Sequence, residues 1–329
     1  MKTLPRLSIL IAVRNEGAYL ARTLEGICDQ LDTVVDFETL VIDGGSNDNT
    51  REVINQFIDR LPGLRLLPNP KILAASGWNI GLAEAKAPVV SILSGHAKLP
   101  KGYLAHMLKI LTSMRAGVGV KALPVGVDDK SQLIAQAFSS PLGNGGASFM
   151  ANRAAGPVES IAFGCYWKDT LKEIGGFDEV IYRGQDWDLN LRLRLAGYTL
   201  WLDPEMHIEY ITRSDFKKLW RRQYLSGYWK YFIHRKNKQP FLPRHLIPGV
   251  FVGVLFSTVF LSFWWPYLIT LTAMCLLSHV LTSLWQHQRL RLPLNSFLMF
   301  WWTVFIIHFS YGLGLLVGLI KPQTAGENT

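Results

Sequence analysis

Cysteine is scarce and scattered. The 329 residues hold three, Cys28, Cys165 and Cys275, with no C-x-x-C pair. This excludes a disulfide framework and a cysteine-type structural zinc site, and it fits a reducing compartment. Glycine-rich phosphate signatures are also missing. After the first apolar run the chain reads Arg14-Asn15-Glu16-Gly17, without G-x-G-x-x-G, and G-x-x-x-x-G-K-[ST] occurs nowhere. Neither a dinucleotide dehydrogenase nor a P-loop enzyme is indicated. Met1 to Pro5 offers no apolar stretch set apart from a mature start, so no signal peptide is expected. The most informative lack is of charge. No Lys, Arg, Asp or Glu occurs from Leu246 to Trp285, nor from Phe297 to Ile320. A hydrocarbon core about 30 Å thick takes roughly 20 helical residues, so the first run can cross twice and the second once. Phe263-Trp264-Trp265-Pro266-Tyr267 supplies an aromatic belt and a helix breaker at the midpoint of the first run.

The charge that is present is concentrated. The chain carries 34 Lys+Arg against 25 Asp+Glu, a net +9. Between Arg213 and Arg244 stand Arg213, Lys217, Lys218, Arg221, Arg222, Lys230, Arg235, Lys236, Lys238 and Arg244, opposed only by Asp215. The residues before this collar are nearly neutral. A basic collar directly ahead of an apolar segment reads as an anchor on a membrane surface. Nucleic-acid binding is the rival reading, but no such motif accompanies the charge, so no nucleic-acid partner is expected. The collar and the Arg289/Arg291 loop should both be cytoplasmic by the positive-inside rule. Three spans then put the N-terminal region in the cytoplasm and the C-terminal tail outside, in a multi-pass protein of the inner (plasma) membrane. The expected organisation is a catalytic domain over 1–212, an amphipathic collar over 213–244, three transmembrane helices over 245–321 and a short tail over 322–329.

The N-terminal part alternates between two periods. Leu7 to Val13 is an apolar run fit for a buried strand, and Gly17 to Leu31 has helical spacing of Leu20, Leu24 and Ile27. Strands follow over Phe37–Ile42, Leu64–Leu67 and Pro88–Leu93, with helices over Thr50–Arg60 and Ala75–Lys86 between them. Such alternation predicts an α/β fold with a mostly parallel sheet, whose ligands bind outside the carboxyl ends of the strands. The polar clusters Arg14-Asn15-Glu16, Asp43 to Asn49 and Ser94-Gly95-His96 all fall at such ends.

These clusters carry a resemblance. Ile11-Ala12-Val13-Arg14-Asn15-Glu16, then Val41-Ile42-Asp43-Gly44-Gly45-Ser46-Asn47-Asp48-Asn49-Thr50, then Asn79-Ile80-Gly81, then Gly175-Gly176-Phe177-Asp178-Glu179, then Gly184-Gln185-Asp186-Trp187-Asp188-Leu189 follow one another in order. Over roughly Leu7 to Trp229 the sequence resembles the family 2 glycosyltransferases of GT-A fold. It looks most like the bacterial enzymes of succinoglycan-type exopolysaccharide synthesis. The resemblance implies a Rossmann-like GT-A catalytic domain followed by a transmembrane helical region. It implies a membrane-bound, non-processive, inverting enzyme. Such an enzyme moves a sugar from a nucleotide-diphosphate donor, expected to be UDP-linked, to a polyprenyl-diphosphate-linked saccharide. The alternative is a lapsed, scaffold-like member of a polysaccharide assembly complex.

Roles follow residue by residue. Asp43 would accept the imide N–H of uracil, with Gly44 letting the backbone approach the base. A turn-capping Asp is the bland reading, and it is preferred for Asp48. Val13, Asn15 and Glu16 would border the nucleotide, and Asn79 belongs to the family's N-x-G helix. The family usually carries Asp-x-Asp where this chain has Ser94-Gly95-His96, so its Mn²⁺ or Mg²⁺ is in question. Either His96 holds the metal or it donates a hydrogen bond to the diphosphate without one. Asp186 is the expected general base for the acceptor hydroxyl, although an Asp there could equally cap the helix that follows. Arg213, Arg222 and Gln223 would reach a donor or lipid-linked diphosphate, or else anionic headgroups of membrane lipids. Ser226 stands where processive synthases carry the Arg of Q-x-x-R-W, which argues against a polymerase.

Overall fold

The structure is a computed structural model, and it describes residues 6–33, 36–61, 63–111, 116–147, 149–150, 154–212 and 215–321. The chain forms two compact units, Met1–Leu123 with Ser148–Tyr210, and Pro124–Ala147 with Ile211–Thr329.

The first unit begins as the alternation predicts. β1 (Leu7–Val13), α1 (Gly17–Cys28), β2 (Phe37–Asp43), α2 (Thr50–Asn55), β3 (Arg65–Pro68), α3 (Ala74–Glu84) and β4 (Val89–Ser94) follow in order. β1 pairs in parallel with both β2 and β4, and β2 with β3. All seven residues of β2 are buried, as are six of the seven in β1. Strands covered on both faces are largely apolar, which is why they read as near-continuous runs; the buried Glu38 of β2 is satisfied by Ser8 and Arg65. The remainder is β5 (Ala97–Lys98), α4 (Tyr103–Ile110), β6 (Gly117–Val125), β7 (Gly156–Val158), β8 (Cys165–Trp167), α7 (Lys168–Glu173), α8 (Gln185–Leu195) and β9 (Leu200–Ile211). The sheet order is β3-β2-β1-β4-β8-β6-β9-β5, with β7 on β9. Beyond β4 the pairings of β8 with β4 and β6, and of β5 and β7 with β9, are antiparallel. The sheet is therefore mixed. Its antiparallel pairings are made by β5, β7 and β8, strands of two or three residues that are too short to show a period in sequence.

The second unit contains α5 (Asp129–Ser139), α6 (Pro141–Asn144), α9 (Phe216–Lys236), α10 (Pro243–Leu261), α11 (Leu268–Arg289) and α12 (Phe297–Ile320). α5 starts at a reciprocal cap between Asp128 and Ser131. Leu133 and Ala137 of α5 pack on Phe300 and Val304, and Ile134 on Leu219, Ile306 and Ile307. Residues 124–147 thus fold with the C-terminal helices, although they precede β7 and β8 in sequence. α9 lies along α12 through small residues. A side chain at Gly227 would collide with the Tyr311 carbonyl, and one at Gly314 with the Tyr224 carbonyl. Three helices, ending at Leu261, Arg289 and Ile320, are long and apolar enough to cross a membrane. The aromatic turn breaks the first apolar run as expected, with Phe263 at 81% and Tyr267 at 66% exposure.

Candidate active site

The tips of β1 and β2 are tied together by their own polar groups. Gly44 N–H donates to the Val13 carbonyl at 2.9 Å. Asn15 N–H donates to Ser46 Oγ at 2.9 Å, and Asn47 N–H returns to Asn15 Oδ1 at 2.9 Å. Asn15 has φ 53, a left-handed backbone that Asn tolerates better than most residues. Glu16 N–H donates to Thr50 Oγ1, and Gly17 N–H to Asp48 Oδ2, so the starts of α1 and α2 are joined. Asp48 also accepts from Thr50 N–H at 3.0 Å.

Asp43 is 2% exposed at the end of β2. Its Oδ1 accepts from Ser46 N–H at 2.9 Å and from Ser46 Oγ at 2.6 Å. Its Oδ2 accepts from Arg51 Nε at 2.6 Å. Burial pushes the carboxyl up, but the Ser46 hydrogen bonds and the Arg51 guanidinium outweigh it and hold it below the ordinary 3.8. The carboxylate has about four acceptor sites, so Oδ2 keeps capacity for one more donor. Arg51 is a site residue that sequence reasoning missed. Its only signal is an Arg in the first turn after an Asp-rich strand end.

At the tip of β4 the bonding is sparser. Ser94 Oγ is buried and has no hydrogen-bond partner. Gly95 is wedged under β1, where a side chain would lie 3.0 Å from Val13 Cγ1 and 3.2 Å from Glu16 Cβ. That close approach brings His96 Nδ1 to 3.4 Å from Glu16 Oε1. Glu16 thus supplies in space a carboxylate that the triplet lacks in sequence. An imidazole nitrogen, a carboxylate and a hydroxyl make a mixed donor set that suits Mn²⁺ better than the all-oxygen preference of Mg²⁺.

Two of the motifs prove to be one physical unit. Asn79 on α3 donates to the Phe177 carbonyl at 2.8 Å and to Glu179 Oε1 at 3.0 Å, and it accepts from Phe177 N–H at 2.8 Å. The Asn79 hydrogen bond and the Lys71 ammonium hold Glu179 below its ordinary range. The Gly175 to Glu179 turn is clasped from the other side by Arg192. Its guanidinium donates to the Ile174 and Gly176 carbonyls and pairs with the fully buried Asp188 at 2.7 Å. Asn190 fastens α8 through the Tyr166 hydroxyl, Ser160 and the Ile161 carbonyl. Asp186 stands one turn earlier and is exposed. The N-cap is Gly184, and Asp186 Oδ1 accepts from Trp187 N–H at 2.8 Å. Its negative charge contributes to the raised pKa of the buried Tyr166 hydroxyl, after burial itself.

Arg213 lies outside the described residues. In the second unit the Arg222 guanidinium sits 4.9 Å over the Phe138 ring, and Gln223 is buried with its Nε2 unpartnered.

Comparison with known proteins decides the family. The model described as "Glycosyl transferase family 2" matches residues 8–167. Residues 8–167 form a family 2 glycosyltransferase domain. The matched stretch holds the tips of β1, β2 and β4 and ends with β8, ahead of Asp186. This glycosyltransferase is 26% identical over 246 residues to the succinoglycan biosynthesis protein ExoA of Rhizobium meliloti, covering 74% of the chain and 72% of the relative. It is 26% identical over 331 residues to a dolichyl N-acetyl-alpha-D-glucosaminyl phosphate 3-beta-D-2,3-diacetamido-2,3-dideoxy-beta-D-glucuronosyltransferase of Methanococcus voltae, covering 97% and 98%. The mannosyltransferase PcManGT of Pyrobaculum calidifontis, solved with GDP-Man and Mn²⁺, superposes with a TM-score of 0.59 at 17% identity, covering 98% and 89%. That likeness establishes the GT-A fold.

Proposed function

We propose that this glycosyltransferase moves a single sugar from a UDP-linked donor to a polyprenyl-diphosphate-linked saccharide, with inversion, on the cytoplasmic face of the inner membrane. One observation carries the reading. A sugar-nucleotide sheet and three helices of spanning length belong to one chain. A donor that lives in water and an acceptor that lives in lipid require that combination. The names of two relatives support it, since one serves succinoglycan synthesis and the other acts on a dolichyl-phosphate-linked sugar.

The remaining acceptor site on Asp43 Oδ2 suits the imide N–H of uracil. Glu16, His96 and Ser94 would hold Mn²⁺, which neutralises charge on the donor diphosphate when bound. Asp186 takes the proton of the acceptor hydroxyl while that oxygen forms its bond to the anomeric carbon. The bond to the UDP oxygen breaks from the opposite face, and UDP leaves with the electron pair. Arg222 and Gln223 are candidates for binding a diphosphate, and the basic collar is suited to anionic headgroups. The same setting suits a member of a polysaccharide assembly complex.

The test uses the full chain in detergent micelles with a membrane lipid extract, offered UDP-sugars and GDP-sugars in the presence of Mn²⁺. UDP release that depends on the lipid extract is expected. Release of GDP alone would overturn the donor class. Release that is indifferent to the lipid extract would overturn the acceptor.

A further inference from the structure

A second cluster of metal-ligating groups lies away from the nucleotide tips. His106 of α4 and Asp203 and Glu205 of β9 place one ligand atom each within 4.8 Å of one another. Residues two apart on a strand share a face, so Asp203 and Glu205 are directed together. His106 is 8% exposed, and its Nε2 points at them, 3.7 Å from Asp203 Oδ1, without a hydrogen-bond partner. Asp203 Oδ1 also accepts from the Glu205 backbone N–H at 2.9 Å. Among the described residues, no Lys or Arg pairs with either carboxylate. Two acidic groups thus face a buried imidazole with no cation to neutralise them.

The sheet explains why this place is open. β7 pairs with β9 at Leu200 to Leu202, and β5 pairs with it at Glu209 and Tyr210. β6 lines one edge of β9; on the other edge residues 203–208 lie between those two pairings, and Pro204 has no N–H to offer a neighbour strand. β5 begins one residue after His96. Asp203 is seven residues from the Tyr210 that faces Ala97, roughly 23 Å along the strand. The cluster shares no residue with the Glu16, Ser94 and His96 tip.

We propose that His106, Asp203 and Glu205 bind a divalent transition-metal ion of the Zn²⁺ type, which braces α4 to the middle of β9. One imidazole and two carboxylates, with water in the fourth position, form a donor set that Zn²⁺ accepts. Tetrahedral bonds of about 2.1 Å put ligand atoms about 3.4 Å apart. The His106 and Asp203 atoms are already near that spacing, and the exposed Glu205 closes the rest by side-chain rotation.

The experiment strips the purified full chain with chelator and titrates it with Zn²⁺, then separately with Mn²⁺. Bound metal is measured by elemental analysis, and Tm by thermal denaturation. Wild type should take up one Zn²⁺ at this site and gain a few degrees in Tm. Asp203→Asn and Glu205→Gln, which keep shape and fold, should each weaken that Zn²⁺ at least 100-fold and lose the Tm gain. UDP binding should be unchanged in both. His96→Ala should keep the Zn²⁺ effect, which separates this site from the nucleotide tip. Absence of Zn²⁺ uptake by wild type, or a Tm gain that survives both variants, would overturn the proposal. Tighter binding of Mn²⁺ than Zn²⁺ would overturn the choice of ion.

Discussion

The strand tips divide into two regions with opposite bonding. Where β1 meets β2, nearly every polar group is spent on the protein. Asn15 and Asp48 hold backbone N–H groups, and Asp43 holds Ser46 and Arg51. At the β4 tip Ser94 Oγ has no partner, and His96 meets Glu16 at a distance too long for a good hydrogen bond. The same split recurs on α8, where Asp188 is buried against Arg192 while Asp186 is exposed two residues earlier. Motif residues that the protein satisfies itself set the shape of the site. Those that it leaves open are the ones available to a ligand.

The sharpest way to break this comparison is to exchange the two acids of α8. Asp186→Asn should lower turnover by about 10² to 10⁴, the usual contribution of a general base, with UDP affinity and Tm unchanged. Asp188→Asn should do the reverse. It leaves the partly buried Arg192 without its charge partner and should cost about 3 kcal/mol of stability, read as a lower Tm. An Asp186→Asn enzyme that keeps its turnover would remove the base assignment. A smaller effect is expected at the β4 tip. Glu16→Gln and His96→Ala should each raise the Mn²⁺ concentration for half-maximal UDP binding by about 10-fold or more, as read by titration. Indifference of both variants to Mn²⁺ would mean that the tip contacts the diphosphate without metal.

The legible part of this molecule is the part with a period. β1 to β4 and the three helices long and apolar enough to cross a membrane could be read from sequence because both write long apolar runs. The short antiparallel strands could not, since Ala97–Lys98 and Cys165–Trp167 are too short to alternate visibly. Residues 124–147 carried no sign that they fold with the C-terminal helices. Their amphipathic spacing declares an apolar face but not the partner that covers it. At the candidate site, the motif order singled out Asp43, His96 and Asp186 as candidates, but partnership across the fold was invisible. Nothing in the spacing ties Asn79 to Phe177, or Glu16 to His96, because both pairs are made by strand and helix packing over long sequence separations.

Asp43 belongs to both sides of the comparison, and pH separates its two roles. Its carboxyl is held below 3.8, so the folded state gains stability above that value and loses it as pH falls. The unfolded carboxyl takes its proton first, near 3.8, and the advantage shrinks until the folded carboxyl is protonated too. Arg51 is 56% exposed, so the ion pair itself contributes less than about 1 kcal/mol, and the buried Ser46 hydrogen bonds carry most of the effect. Thermal denaturation of wild type and Asp43→Asn between pH 3 and pH 6 should give a Tm difference that is flat above 3.8 and narrows below it. Every other carboxylate titrates in both proteins and cancels. UDP affinity should be weaker in Asp43→Asn throughout the flat region, because the amide presents an N–H or a poorer acceptor where the base needs a carboxylate oxygen. A Tm difference without an affinity difference would assign Asp43 wholly to the satisfied set, and the uracil contact would have to be sought elsewhere on the β1 and β2 tips.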